Sequence, residues 1–422
     1  MKLLDRKIIV PALTFCVCVA LSLAAAWERP FHSDEAVQAW RVWTWLGGSA
    51  DLVYEPRFHG LTLYYFAAPF LHFGGNEVAL RLLPILICAG TVVALPAIVW
   101  GFCRPFFNAL VSLVLASVPL WIFYSGDFIQ EPIFVSFAWL AGTLLFCRER
   151  IFAGAIFAGL AIASKESWPF FVAAFLAGGM RFSWKNFAVA ASVATFVALA
   201  FYSSFFTWMS HFDFSVPASV ENDVNYFFVA GTLLPMIVFA LAGMLRKSRS
   251  WELVFFTVAS VFLWAVYFIL PHREPWLLLS AVPGTVLAFA ESARILLAGT
   301  KKYLLLAGTV FLNAGTLLVF PLEKICGYVE TSRGNAAFVE QIEKTTGTLA
   351  VYGNAIWPLP WQLRERENVG YFDDKILREE FEIVVAPVEF WESWNAENYW
   401  TRAVGELRDG VILEMRTREG AR

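Results

Sequence analysis

Charge is scarce in this chain. Lys, Arg, Asp and Glu make up 16% of its residues, where a water-soluble domain carries about a quarter. So little charge excludes a single soluble globule. Cysteine is scarce too. Cys16, Cys18, Cys88, Cys103 and Cys147 lie in or beside apolar runs and Cys326 stands alone, giving neither a disulfide framework nor paired metal-ligand spacing. Walker and dinucleotide glycine patterns are missing, as are HExxH, GxSxG and a Cys–His pair, so no motif supports nucleotide, protease or lipase chemistry. No basic patch points to nucleic acid.

Apolar length is what the sequence has. Hydrophobic residues make up 59%, with 41 Phe and 18 Trp, the aromatic load of membrane interfaces. Runs long enough to cross about 30 Å of hydrocarbon are read near 7–26, 77–101, 106–124, 128–147, 187–206, 226–245, 251–270, 276–297 and 303–321. Residues 151–179 carry Lys165 and Glu166 at their middle, so one span would put both charges at mid-bilayer. Basic residues decide the case. Arg6, Lys7, Arg104, Arg148, Arg150, Arg181, Lys185, Arg246, Lys247, Arg249, Lys301 and Lys302 all fall in alternate loops or ends, whereas 207–225 has no Lys or Arg. The positive-inside pattern is kept only if 151–179 is a hairpin with SKES at its outer tip. The expectation is eleven spans in an all-α membrane domain over 1–321, multi-pass in the plasma membrane, N-terminus cytoplasmic and C-terminus extracytoplasmic. The basic start, apolar stretch and Ala24-Ala25-Ala26 also fit a cleavable signal; a retained anchor is expected, since the following loop needs its tether.

From residue 322 the composition shifts to 12 Lys+Arg against 18 Asp+Glu, a net of −6. TLAVYG, FEIVVAP and GVILEM read as strands, and GNAAFVEQIEKT and FWESWNAENYW as helical stretches. A small extracytoplasmic α/β domain over 322–422 is expected. Its WPLPW motif reads either as a cover or glycan contact, or as a Pro-rich packing strap.

Polar residues collect in four short motifs on the outer side of this topology: HSDEA (32–36), in the first outer loop 27–76, then GDFIQEP (126–132), SKES (164–167) and PHREPW (271–276). Charge held at a bilayer edge is costly and usually functional. Each motif also has a plain structural reading: Ser33 can cap a helix starting at Asp34, Lys165–Glu166 can be an internal ion pair, and Arg81 can anchor a helix end. A sugar leaving a lipid phosphate would use such a set if it meets in one cavity. The leaving group needs no acid, the incoming hydroxyl needs a carboxylate to take its proton, and the departing phosphate needs cations or a metal. Asp34, Glu35, Asp127 and Glu131 supply acids, and Arg57, Lys165, His272 and Arg273 supply cations. Trp27, Trp40, Trp43 and Trp45 supply aromatic surface.

HSDEAVQAW, EPRFHGLTLYYFAAP, RLLP (81–84), FYSGDFIQEP, ASKES, PHREPWLLL and WPLPWQLRERENVGYF (357–372) occur in this order along most of the chain. With these landmarks the sequence resembles the GT-C membrane glycosyltransferases, in the branch of protein O-mannosyltransferases and lipid A aminoarabinose transferases. More closely, it is similar to the membrane family labelled "flippase activity-associated protein". The resemblance implies a first outer loop bearing the catalytic acid, a polyprenyl- or dolichyl-phosphate-sugar donor, membrane lipid as surroundings and inverting transfer to a glycan, lipid or protein acceptor. It implies Asp34 as general base with Glu35 supporting it, and Glu131 orienting acceptor or metal. Lys165 would neutralise the donor phosphate with Glu166 fixing it; Arg273, Arg81 and His59 are further contacts. No metal site is read, though Mg or Mn is a possible cofactor. Relatives usually have Arg and an aromatic where this chain has Gly126-Asp127, and a neutral residue at Glu274; both departures bear on donor preference. A flippase or transporter, or a scaffold for surface-glycan assembly, are the alternatives; no duplicated halves favour transport.

Overall fold

The computed structural model describes residues 3–27, 29–55, 58–72, 75–179, 183–203, 226–270, 274–319, 331–332, 334–353, 356–378, 380–394, 396–408 and 410–418. Contacts divide the chain into two units. One comprises Met1–Glu28 with Asp51–Tyr328, the other Arg29–Ala50 with Val329–Arg422. The compositional boundary at 321–322 falls among residues 320–330, outside those described, and Arg29–Ala50, expected in the membrane domain, groups with the C-terminal unit instead.

The first unit is helical. It contains α1 (Leu3–Ala26), then α3 (Thr62–His72), α4 (Glu77–Trp100), α5 (Pro105–Ser117), α6 (Pro119–Tyr124) and α7 (Gln130–Gly142), the last prolonged by a wide turn over Thr143–Cys147. It continues with α8 (Ile151–Ile162), α9 (Trp168–Gly178), α10 (Trp184–Tyr202), α11 (Tyr226–Met244), α12 (Trp251–Ile269), a tight 3₁₀ helix Pro275–Ala281 leading into α13 (Val282–Leu296), and α14 (Lys301–Val319). Among the described residues, seven helices are long and apolar enough to cross a membrane, and four shorter apolar helices accompany them. Together they account for the eleven spans read from the sequence.

The hairpin at 151–179 is present. Phe137 on α7 packs on Phe157 of α8 with ring centres 5.9 Å apart, and Leu145 meets Gly154, so α8 runs against α7. Phe134 packs on Phe171 at 5.0 Å and Trp139 on Phe175 at 5.3 Å, so α9 runs with α7. The chain therefore turns at 163–167, beside the first turn of α7. Pro169 suits the first turn of α9, where its missing N–H leaves no helical hydrogen bond unmade. Helix α8 packs on α10 closely at Gly159, where a Cβ would stand 2.7 Å from Ala194 O and 2.5 Å from Val197, the kind of close backbone approach that small residues allow in membranes. Helix α7 and the segment Pro275–Leu296 are buried along nearly their whole length, whereas α1, α10 and α14 expose most of theirs. The ends of the two innermost helices are thus the natural place for buried polar chemistry.

The opposite end of this unit holds an acid that the motifs did not reveal. Glu291 near the end of α13 is 1% exposed and accepts from Trp100 Nε1 at 2.8 Å, from the Ser250 hydroxyl and from the Arg294 guanidinium. This carboxylate fastens the far ends of α4, α12 and α13 together. A spaced Glu–Arg pair inside an apolar run was its signal.

The second unit contains α2 (Ser33–Leu46), α15 (Asn335–Glu343), α16 (Leu359–Gln362), α17 (Val388–Ser393) and five strands: β1 (Leu349–Tyr352), β2 (Val369–Phe372), β3 (Ile383–Pro387), β4 (Tyr399–Arg408) and β5 (Val411–Arg418). The sheet order is β2-β1-β3-β5-β4, parallel across β2-β1-β3 and antiparallel across β3-β5-β4. Strand β1 is buried at all four residues, as a central strand covered on both faces must be. Phe338, Val339 and Ile342 of α15 cover one face, and Trp391 and Tyr399 the other. The three expected strands and the 335–343 helix are found. The stretch FWESWNAENYW is helical only to Ser393; Tyr399 and Trp400 already belong to β4, which pairs with its long hairpin partner β5 with register shifts between Thr401 and Ala403 and between Glu406 and Arg408.

Candidate active site

In the second unit, α2 explains most of the HSDEA motif. Its N-cap is His32, not Ser33: the His32 ring accepts from the Asp34 backbone N–H at 3.2 Å, and Glu35 Oε2 accepts from the His32 N–H at 3.2 Å. This reciprocal capping box employs the Glu35 carboxylate, which is fully buried and also lies 3.8 Å from the His32 ring. The cap does not call on the Asp34 carboxylate, which is half-buried in the first turn. Trp40, about two turns along α2, packs with Trp43 at 5.3 Å and, edge to face, with Trp357 and Tyr371 at 6.3 Å each. Trp361 is fully buried, 5.7 Å from Phe31, and Leu359 joins the core, so WPLPW straps this unit together.

In the first unit, three segments far apart in sequence meet at the N-terminal end of α7. Glu131 is 1% exposed, and its Oε2 accepts a hydrogen bond from the Lys165 ammonium. Its Oε1 accepts from the Ser280 hydroxyl at 3.1 Å, and the Tyr267 hydroxyl lies 3.4 Å from the same Ser280 oxygen. Lys165 sits in the turn between α8 and α9, outside the helices. Burial pushes its ammonium toward neutrality, but Glu131, aided by Glu274 and Glu166, more than reverses this and holds it above the ordinary lysine value. It stays a cation.

Glu166, the next residue, belongs to a different group. Its Oε1 accepts from Tyr54 at 2.8 Å and its Oε2 lies 2.8 Å from His59 Nδ1. Burial pushes this carboxyl up, yet the hydrogen bond and charge of His59 and the Tyr54 hydroxyl bring it below the ordinary carboxylate value. Glu166 thus adds to the field on Lys165 but does not hydrogen-bond it: Lys165 bonds Glu131, and Glu166 bonds His59 and Tyr54. His59 has φ +62, a left-handed backbone that costs a residue with a Cβ about 1–3 kcal/mol and is typically held only by its surroundings. The surroundings here are Gly60, whose N–H reaches Ser164 O at 3.1 Å and whose carbonyl accepts from Gln130 Nε2 at 2.9 Å. Tyr202 closes this side, donating to Ile162 O at 2.6 Å and packing edge-on to Tyr54 at 4.7 Å.

Arg81 is 1% exposed and donates to Ala26 O at 2.8 Å, so it clamps the last turn of α1. Asp127 is fully buried in the turn before α7. Arg57, His272 and Arg273 lie outside the described residues. Sequence motifs missed Ser280, Tyr267, Tyr54 and Gln130; a lone serine within the apolar run PWLLLSAV was the one available signal. Among the described residues no three His, Cys, Asp or Glu side chains gather to hold a metal ion.

No protein-family profile matches the sequence, and no curated protein resembles it at the level of sequence. Solved structures do. ArnT from Cupriavidus metallidurans in the apo state is similar with a TM-score of 0.65 at 13% identity. The same protein bound to undecaprenyl phosphate is similar with a TM-score of 0.67 at 14% identity. Each comparison covers 96% of this chain and 97% of that one. Along nearly its whole length, then, the chain shares the fold of ArnT, a helical membrane domain and a small C-terminal α/β domain.

Proposed function

We propose that the protein is a membrane glycosyltransferase that takes a sugar from a polyprenyl-phosphate donor. One observation carries this reading: a lysine kept charged inside the end of a membrane domain, beside a second carboxylate–imidazole pair, in a chain with the fold of an enzyme solved with undecaprenyl phosphate. A buried cation is expensive unless something anionic repays it, and Glu131 alone leaves donors on the ammonium for a phosphate. In this reading Lys165 and His59 receive the phosphate and stabilise the charge that grows on it as the glycosidic bond breaks. Independently of that geometry, the sequence resemblance makes Asp34 the proposed base for the incoming hydroxyl, with transfer inverting at the anomeric carbon. Glu131 holds Lys165 in place. Glycan, lipid and protein remain the acceptor classes, and the cytoplasmic N-terminus and extracytoplasmic C-terminal domain are part of the proposal.

The transport alternative gains no observation of its own, since the buried charges described sit at the two ends of the helical unit. Incubating the purified protein with a panel of labelled polyprenyl-phosphate sugars tests the proposal. Release of lipid phosphate from at least one donor is expected; a folded protein inert toward the whole panel, with and without added divalent cations, overturns it.

A further inference from the structure

Hydroxyls in this helical unit mostly satisfy themselves locally. Thr14, Ser164, Thr285, Thr309 and Thr316 each donate to the carbonyl four residues back, at 2.7–3.0 Å. That is the usual way to bury a hydroxyl in an apolar helix. Ser280 departs from it. Fully buried at the end of a 3₁₀ turn, it sends its proton across to the Glu131 carboxylate, on a helix 149 positions earlier in the chain. Its own carbonyl is held by Trp139 Nε1 at 2.7 Å, so the residue is fixed through its backbone as well as its side chain. Trp139 in turn leaves no room at Gly284, where a Cβ would come 2.1 Å from the indole. A serine so tightly fixed, aimed at one carboxylate, is a device for controlling that carboxylate.

We propose that Ser280 is a positioning residue that sets how much of the Lys165 charge is available to a phosphate. This rests on the reading of Lys165 as a phosphate contact. A carboxylate hydrogen-bonded on one oxygen spreads its negative charge toward that donor and holds a cation on its other oxygen less strongly. With Ser280 on Oε1, Glu131 anchors Lys165 without neutralising it fully. Without the hydroxyl, Oε1 loses the donor described for it, and the Lys165 ammonium on Oε2 becomes the remaining hydrogen-bonding partner of the Glu131 carboxylate among the described residues. The ion pair then closes on itself, and the ammonium turns from the phosphate.

The test measures binding of undecaprenyl phosphate and of undecaprenol to the full-length protein in nanodiscs, for wild type, Ser280→Ala and Ser280→Cys. Ser280→Ala is expected to weaken undecaprenyl phosphate by about five- to tenfold, the scale of one ordinary net hydrogen bond, and to leave undecaprenol unchanged. Ser280→Cys, nearly the same volume but a poor donor, is expected to weaken the phosphate lipid less, and it takes the place of Ser280→Ala if that variant does not fold. A purely structural serine would alter both lipids alike or neither, and either result overturns the proposal. A wild-type protein that binds the two lipids equally overturns the reading of Lys165 itself, a failure visible before any substitution is made.

Discussion

Lys165 and Glu166 are adjacent in sequence but belong to different charge groups: Lys165 pairs with Glu131 of α7, and Glu166 with His59 and Tyr54. A turn that splits a Lys-Glu dipeptide in this way binds two distant segments at once. It joins the start of α7 on one side and the 51–61 segment on the other. This division explains why the hairpin tip cannot be a simple internal ion pair, and it makes the two charges separately testable.

The Glu131–Lys165 pair is buried, so its members should fail singly and succeed together. Removing one partner strands a charge in a dry site, at a cost of about 3–5 kcal/mol, whereas removing both leaves no charge to strand. Lys165→Met and Glu131→Gln are therefore each expected to lower the melting temperature in detergent clearly. The Glu131→Gln/Lys165→Met double variant should recover most of the loss. A double variant as unstable as the sum of the singles would show that the pair is not coupled as described.

Glu166 predicts a specific pH dependence. Its folded carboxyl is held below the unperturbed value of 4.5, so it contributes stability that is full above that value and is lost as pH falls through the lower folded value. The melting-temperature gap between wild type and Glu166→Gln should be largest near neutral pH and shrink steadily below about pH 4.5. A gap that stays constant down to pH 3.5 would show that the His59 and Tyr54 contacts do not depend on the ionised carboxylate.

Gly60 is where the 51–61 segment touches the hairpin tip. A Cβ there would stand 1.9 Å from the Ala163 carbonyl oxygen, a backbone atom unable to move aside cheaply. Gly60→Ala is expected to cost at least about 1–3 kcal/mol, as overpacking does. It should also expose the hairpin tip to limited proteolysis. Gly48, open on all sides, is the control: although its φ of +70 disfavours a side chain, no neighbour lies within 4 Å, so Gly48→Ala should leave the tip protected.

Asp34 and Glu35 should separate by role. The Glu35 carboxylate makes the cap of α2, so Glu35→Ala is expected to cost about 0.5–2 kcal/mol of stability, as loss of a cap does. Asp34→Asn keeps the shape of the side chain and should leave the melting temperature unchanged while abolishing sugar transfer. Transfer at the wild-type rate by Asp34→Asn removes Asp34 from the role of base.

Much of this was legible before the structure. Apolar length and basic alternation located all eleven apolar segments, and the Lys165–Glu166 dipeptide betrayed the hairpin because a helix could not carry both charges through lipid. The acids and His59 stood out by residue type alone. Partner choice did not. Nothing in the order of residues says that Lys165 prefers Glu131 to its own neighbour, since that is decided by the turn at 163–167 and the start of α7 coming together. Ser280 and Tyr267 were invisible for a related reason: a hydroxyl in an apolar run reads the same whether it serves its own helix or another. In the C-terminal unit, β4 escaped because its first residues, Tyr399 and Trp400, follow an aromatic helix without a break in composition.

Everything functional proposed for the helical unit depends on its polar end receiving a phosphate. The direct measurement is equilibrium binding of undecaprenyl phosphate and undecaprenol to the wild-type protein and to the Glu131→Gln/Lys165→Met double variant, with folding of both verified. A phosphate-dependent preference of about tenfold or more in the wild type, lost in the double variant, is expected, since a buried charge-assisted contact is worth at least that much. Equal affinity of the wild-type protein for the two lipids, or an undiminished preference in the double variant, would contradict it.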